Sequence, residues 1–583
     1  MVEGAHAVDA QGPAPHAGRV PLRPAAEVMD LERLGRLHAS RISFIRTIVR
    51  KFMNERWQIE CLRFDLDRDG YGTAIYRVRT SEHTYNFVLF SQYLDDSQRT
   101  DRVIANAWDC AFALVQGDVD EERLQWLREN VPKQEEGRCD PSVLVLSRAN
   151  RSVRNFESIV QALSEGRQPD PLQIAKVGYL YRTTAVYGNG KFGLADYPKI
   201  RNWGDFGLPF SAQMFTVYLL RHFSIRQVEH IAAARAPQSA VAMDRRLQRY
   251  LGIGNSTGLG MAPFLINHPK LINQWLLMRE TALARALGQP ADAGRRARLR
   301  ALVERAEQHT RETWVDDERQ ARENETLVEQ LGAAREWLAG QDADAGRYLW
   351  QELSEHARAH WSYETQELLH SLIIELYPGE VDELELSMGA AEQYDLVPEM
   401  TLAELIEIIE RHYGWALAID FDDPDAQYYF WYRSAEKEEP RIGVRAEEPG
   451  ADREMPLDVA RQARRCYDAL QACRAELGER GSVVEFLLEH PELKGITRRI
   501  QSMSRTTYGD IRANLLDRDL LPMHLLRCKL SFFGVTKFDP RSSRWVRITL
   551  FQGAPLLEDI GGPFDDDWLL PAMPVLERSG QGS

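Results

Sequence analysis

The sequence contains no uninterrupted apolar run of the ~18–20 residues that a membrane-crossing helix needs. Residues 1–27 lack the apolar centre of a secretory signal, and Arg19 and Arg23 are too few for a transit peptide. Rich in Ala, Pro, Gly and His, they read as a disordered tail. Cysteine is scarce and scattered (Cys61, Cys110, Cys139, Cys466, Cys473, Cys528), with no C-x-x-C pair. That usage fits reduced, mostly buried thiols rather than a disulfide framework, a zinc site or a redox pair. Basic charge is in deficit: 72 Lys and Arg face 87 Asp and Glu, a formal net charge of −15. Nucleic-acid binding and docking on an anionic bilayer both call for the opposite sign. The G-K-[ST] end of a P-loop and the H-E-x-x-H zinc signature are absent. These deficits together predict a soluble, cytoplasmic protein with neither a nucleic-acid nor a membrane partner, and they specify no cofactor.

What is present is material for a large ordered protein. The 583 residues are 44% hydrophobic and 27% charged, enough for two to four domains at roughly 150 residues each. Apolar spacing predicts a helix over 29–56. The period then switches to two: WQIECLRFDL, a DRDG turn, TAIYRVRT, an SEH turn and YNFVLF form a β-meander over 57–90. Helices are expected at 99–116, 120–130 and around 151–164, with a polar loop over 132–141. Residues 210–287 read as helical, broken by the Gly-rich LGIGNSTGLGM, and 288–378 as charged helices. A second mixed block opens at 400 with the capping-box pair Thr401 and Glu404 on an amphipathic helix. Strands follow at WALAIDF, AQYYFWYRS and RIGVR, then helices over 456–503, and a hairpin from LSFFGVTKF and RWVRITLFQ.

The two mixed blocks share an order of features. A helix leads into Trp57 or Trp415, each followed by Phe-Asp, then by Tyr-Arg 19 or 17 residues after the tryptophan, and later by Arg-Thr-Thr and Tyr-Gly. An internal duplication explains this order; chance matching of short strings is the alternative. The expected fold class is α+β and helix-rich, with two similar lobes at 28–207 and 400–560. Between them lie a helical segment with the Gly-rich loop (208–287) and a charged helical region (288–399), and 561–583 form a polar tail.

Five patterns carry candidate chemistry. Arg182, Thr183 and Thr184, with Arg505, Thr506 and Thr507, offer guanidinium forks and hydroxyls suited to carboxylate or phosphate. The same residues equally serve internal ion pairs and helix caps. YGNGKFG places Lys191 among glycines that permit close backbone approach, an anion cradle or simply an Asn-Gly turn. Tyr187, Lys191 and Tyr508 are the candidate proton-transfer groups. Gly254, Asn255, Ser256, Thr257 and Gly258 read as a cofactor-binding loop or as a C-cap followed by an N-cap. Glu352, His356 and His360 share one helix face, a metal-ligand pattern for which no further ligand is identified and which a solvated or capping role explains better; DLDRDG imitates a calcium loop but sits between strands, which favours a hairpin turn. The leading expectation is an enzyme of unspecified reaction class holding a small anionic ligand between the lobes. The competing one is a non-catalytic regulatory protein that docks a partner, or a further copy as a homo-oligomer, on an exposed apolar stripe of its charged helices.

Overall fold

The fold is that of a computed structural model describing residues 20–98, 107–133, 141–185, 202–258, 262–341, 348–421, 431–434, 440–442, 451–454, 458–478, 480–511, 522–542 and 545–575. It is of the α+β class. The strands are β1 (Gln58–Leu66), β2 (Gly72–Arg79), β3 (Thr84–Ser91), β4 (Cys110–Gln116), β5 (Val143–Arg151), β6 (Tyr179–Thr183), β7 (Gly252–Gly258), β8 (Trp431–Ser434), β9 (Pro440–Ile442), β10 (Ala451–Glu454), β11 (Asp539–Ser542) and β12 (Trp545–Leu550). Nine of them form one sheet in the order β1-β2-β3-β4-β5-β6-β7-β12-β11, and β10-β8-β9 form a separate small one. Among the described strands, β6 and β7 are the one parallel pair.

The meander forms where the sequence predicts it. At the DRDG turn, Asp67 Oδ1 accepts from the backbone N–H groups of Asp69 and Tyr71, each at 2.9 Å, and Gly70 takes φ +83°. This is an Asx-type turn that needs glycine where φ is positive.

The helices that frame the cores are α1 (Phe44–Asn54), α2 (Glu121–Asn130), α3 (Ser211–Arg235), α4 (Pro269–Leu287), α5 (Ala293–Glu312), α6 (Glu318–Ala339), α7 (Tyr363–Glu375), α8 (Leu402–Leu417), α9 (Asp458–Leu477), α10 (Lys494–Met503) and α11 (Pro522–Phe533), with Leu349–His360 and shorter helices among them. Helix α3 is buried along most of its length and packs on β4 to β7. Cys110, Phe112 and Leu114 face it within the main core, while Ala111, Ala113 and Val115 face the other way, toward Leu124 and Leu127 of α2. A third apolar cluster, separate from these, is built by α8, α9 and α10.

Residues that the sequence assigns to a tail close this core. Arg23 lies in a buried ion network: Glu280 accepts from its Nε at 2.7 Å and Glu367 from its Nη1 at 2.6 Å. Glu367 also accepts from Arg33 at 2.6 Å and from Arg279 at 2.9 Å. At the other end of the chain, Trp568, Leu569 and Leu570 are buried, and Asp566 accepts from Arg46 and Arg50 at 3.0 Å each. The described parts of both segments are thus structural, because burying several arginines requires matching carboxylates nearby.

Several expected elements differ. The helix expected over 99–116 is strand β4 at Cys110–Gln116, hydrogen-bonded on both edges and apolar on both faces, so its sequence shows no alternation; residues 99–106 lie outside the described set. Strand β5 was not anticipated. The Gly-rich break at 252–258 is strand β7. LSFFGVTKF is not a strand: its first part ends α11, which stops at Gly534 with φ +97°. The final hairpin exists, as β11 and β12, but it joins β7 in the large sheet rather than a second lobe. The duplication is not confirmed. Trp57 precedes a strand, whereas Trp415 lies inside α8, where WALAIDF was expected to be extended. Arg182 ends a strand, whereas Arg505 follows helix α10.

Candidate functional site

The parallel pairing of β6 with β7 brings two separately noted segments to one edge of the sheet. Arg182 of β6 is in register with Gly254 of β7, so Arg182–Thr184 and Asn255–Gly258 end side by side. The carboxyl ends of adjacent parallel strands are a recurrent ligand position in α/β sheets. Both strands run directly into Gly-containing segments, 186–201 and 259–261, which lie outside the described residues and include Tyr187 and Lys191.

Side-chain alternation fixes the faces. Tyr181 donates to Gln227 of α3 at 2.9 Å, so Arg182 faces away from α3. Val546 and Ile548 of β12 belong to the main core, so Arg547 between them also faces away. Arg547 is in register with Ser256 of β7, and Asp539 of β11 is in register with Arg547. Arg182 and Arg547 therefore stand on one face, two strands apart and offset by two residues along them, about 12 Å by strand spacing and rise. Extended side chains span that gap.

The electrostatics here are unusual. Burial lowers the pKa of Arg547, with Tyr179 and Asp539 partly opposing and Arg541 and Arg154 reinforcing. Arg547 donates to the Lys176 carbonyl at 3.4 Å. Burial pushes the Asp539 carboxyl up to about 6, even with Arg541 and Arg547 beside it. Its Oδ2 pairs with Arg541 at 2.9 Å, while its Oδ1 is buried without a hydrogen bond. Arg547 and Asp539 escaped the sequence reading; the hairpin was visible, but its partner strand was not.

The same edge carries one further polar cluster. Asp205 is buried and accepts from Tyr85 Oη at 2.8 Å, from Thr80 Oγ1 at 3.1 Å, and lies 2.8 Å from His83 Nδ1. Trp203 stacks on His83 with ring centroids 5.9 Å apart. The 186–201 segment thus leaves the described structure beside β6 and returns beside the start of β3.

The remaining expected site residues have local explanations. Thr183 is buried, donating to the Arg148 carbonyl at 3.0 Å and accepting from Ala185 N–H at 3.1 Å. The Thr184 hydroxyl lies 3.4 Å from Ser147 Oγ. A Cβ on Gly254 would come within 2.6 Å of the Tyr179 ring, so this glycine serves packing. Arg505 and Thr507 are exposed, and Thr506 Oγ1 donates to the Met503 carbonyl at 2.8 Å, closing the end of α10. Tyr508 is fully buried against Asn273 of α4, and its hydroxyl donates to the Arg23 carbonyl at 3.3 Å. His356 and His360 stack at 4.3 Å, and among the described residues no group of three or more His, Cys, Asp or Glu side chains is placed to hold a metal.

Gly254–Gly258 also spells G-x-S-x-G. It lies within strand β7, and a helix, Ala262–Asn267, follows. Ser256, however, is paired within the β7–β12 ladder. A nucleophile elbow would set it on the turn beyond the strand.

No family model matches the chain, and neither the curated proteins nor the solved structures contain a match.

Proposed function

We propose that this protein is an enzyme acting on a small metabolite that bears a carboxylate or phosphate, bound at the carboxyl edge of β6 and β7. Arg182 and Arg547 hold the anion, and Asp539, titrating near neutrality, is the candidate acid–base group alongside Tyr187 and Lys191. The observation that carries this reading is the parallel pairing itself. It gathers the Arg182 segment, the Asn255–Gly258 segment and the β12 arginine on one edge. An arginine whose charge burial disfavours gains most from a bound anion. A carboxyl near pKa 6 is poised for proton transfer at neutral pH. The partner-docking alternative needs an exposed apolar stripe on the charged helices. Leu299, Leu302 and Val303 of α5 and Leu327 and Leu331 of α6 instead point into the core.

The test is a thermal-shift screen of the full chain with nucleotides, nicotinamide and flavin cofactors, coenzyme A esters, divalent metals and small carboxylates. A ligand at ~100 times its Kd adds about 2.7 kcal/mol of stability. The expected hit disappears in Arg182→Ala and in Arg547→Met and survives in Arg505→Ala. A hit indifferent to the first two moves the site elsewhere, and a screen without any hit removes the small-anion reading.

A further inference from the structure

At the β1 edge of the large sheet, on the face that α3 covers, lies a cavity of about 500 Å³. This is within the ~300–1,000 Å³ typical of small-molecule sites. One wall is the inward face of β1 and β2, where Ile59 and Cys61 stand beside Tyr76 in the ladder. The facing wall is one side of α3, carrying His222, Ile225, Arg226 and Glu229 at helical spacing. Leu556 and Leu557 close one end.

Its polar groups are built rather than incidental. Tyr76 and His222 are both more than nine-tenths buried. Tyr76 Oη and His222 Nε2 are buried without a hydrogen bond of normal geometry. Native interiors rarely leave such atoms unpaired. The Arg226 guanidinium packs over the Phe64 ring at 4.2 Å and interacts with both the Cys61 thiol and the Tyr76 hydroxyl.

Arg221, wholly buried behind this wall, donates only to carbonyls, those of Gln248, Arg249, Leu251, Ala554 and Pro555. No carboxylate hydrogen-bonds to it among these partners, and Asp559 and Glu558 act on it through space. Glu229 on the wall is already occupied: one carboxylate oxygen accepts from Met243 N–H at 2.9 Å and from Gln248 Nε2 at 3.0 Å. Burial keeps the Tyr76 hydroxyl protonated, and burial with Arg221 alongside keeps His222 neutral. Glu558, the other carboxylate on the lining, is exposed to solvent, so the unoccupied polar groups that the cavity offers are the Tyr76 hydroxyl and the Arg226 guanidinium, next to aliphatic walls.

We infer that this cavity binds an amphipathic carboxylic acid, its carboxylate on Arg226 and Tyr76 Oη and its aliphatic body against Ile59, Ile225 and Leu557. The site is distinct from the β6–β7 edge and does not depend on the function proposed there.

Cys61 supplies the reporter. It is half-buried, whereas the other described cysteines are buried. On the full chain, N-ethylmaleimide modification of Cys61 is followed by peptide-resolved mass spectrometry, titrating octanoate against uncharged 1-octanol. Titration calorimetry with octanoate gives a readout independent of the thiol. Octanoate is expected to slow Cys61 modification at least tenfold at saturation and to bind at least tenfold tighter than octanol. Arg226→Gln, at an exposed position, should weaken octanoate binding at least tenfold while leaving octanol unchanged; Tyr76→Phe should weaken it several-fold. Arg182→Ala should change nothing here. Equal protection by octanoate and octanol, undiminished octanoate binding in Arg226→Gln, or no octanoate binding by either method overturns the inference.

Discussion

Two arginine-rich regions of this protein have opposite electrostatic character. In the network that anchors the first described residues, Arg23, Arg33 and Arg279 converge on Glu280 and Glu367. Burial opposes charge at Arg23, but Glu280 and Glu367 outweigh it and raise its pKa. Beside β12 the balance reverses: burial outweighs the neighbouring carboxylate and lowers the pKa of Arg547. In the first arrangement the carboxylates already outweigh the cost of burial at Arg23. The second is improved by a bound anion, and so marks a ligand site better than any count of arginines does.

The largest effect expected is from breaking the Arg23 network. Glu367→Ala leaves three guanidinium groups facing one another in the interior and should cost about 3–5 kcal/mol, measured by urea denaturation. A loss below ~1 kcal/mol would mean that the network is not the clamp described here. Next, Gly254→Ala drives a methyl into the Tyr179 ring and should cost about 1–3 kcal/mol by overpacking. Measured alongside the screening ligand, it separates a packing role for Gly254 from a binding one, because a packing role lowers stability without a specific loss of affinity.

Asp539 gives a pH-dependent contrast. Its folded pKa of about 6 lies above the ordinary carboxyl value, so the protonated form favours folding. That contribution is present below pH ~4 and is lost as pH rises through about 6. Asp539→Asn should then be more stable than the parent at pH 7–8 by about 1–2 kcal/mol, with the gap closing at pH 4. A gap that stays constant with pH would show that Asp539 titrates normally. The smallest effects expected are at single arginines. Arg547→Met should leave stability within ~1 kcal/mol or raise it, since an apolar side chain of similar length removes a disfavoured buried charge. Arg505→Ala, on the surface, should stay within ~0.5 kcal/mol. A loss of several kcal/mol at Arg547 would make it structural, like Arg23.

The meander was legible because Asp67 and Gly70 mark its first turn and short runs rich in aromatic and β-branched residues lie between turn signals, although only β1 alternates in burial. The helix at 402–417 was legible because Thr401 and Glu404 form the reciprocal cap that the sequence spells. Strand β4 was not, since a strand buried on both faces has the same apolar run as a buried helix. Strand β7 was obscured by its own glycines, which the fold uses for close packing under Tyr179 and Leu550. Of the candidate site, Arg182 and the Asn255–Gly258 segment were visible in the sequence, but their adjacency was not. Arg547 and Asp539 carried no local signal at all.

Periodicity, turn residues and caps act over a few positions, so the sequence alone determined the local elements that depend on them, together with the mixed class and the lack of a long apolar helix. Pairing between strands distant in the chain depends on which buried surfaces and backbone groups satisfy one another in three dimensions. That is why only the tertiary structure decided that β7 sits between β6 and β12, that the first and last described segments belong to the core, and that the two Arg-Thr-Thr sequences play different parts.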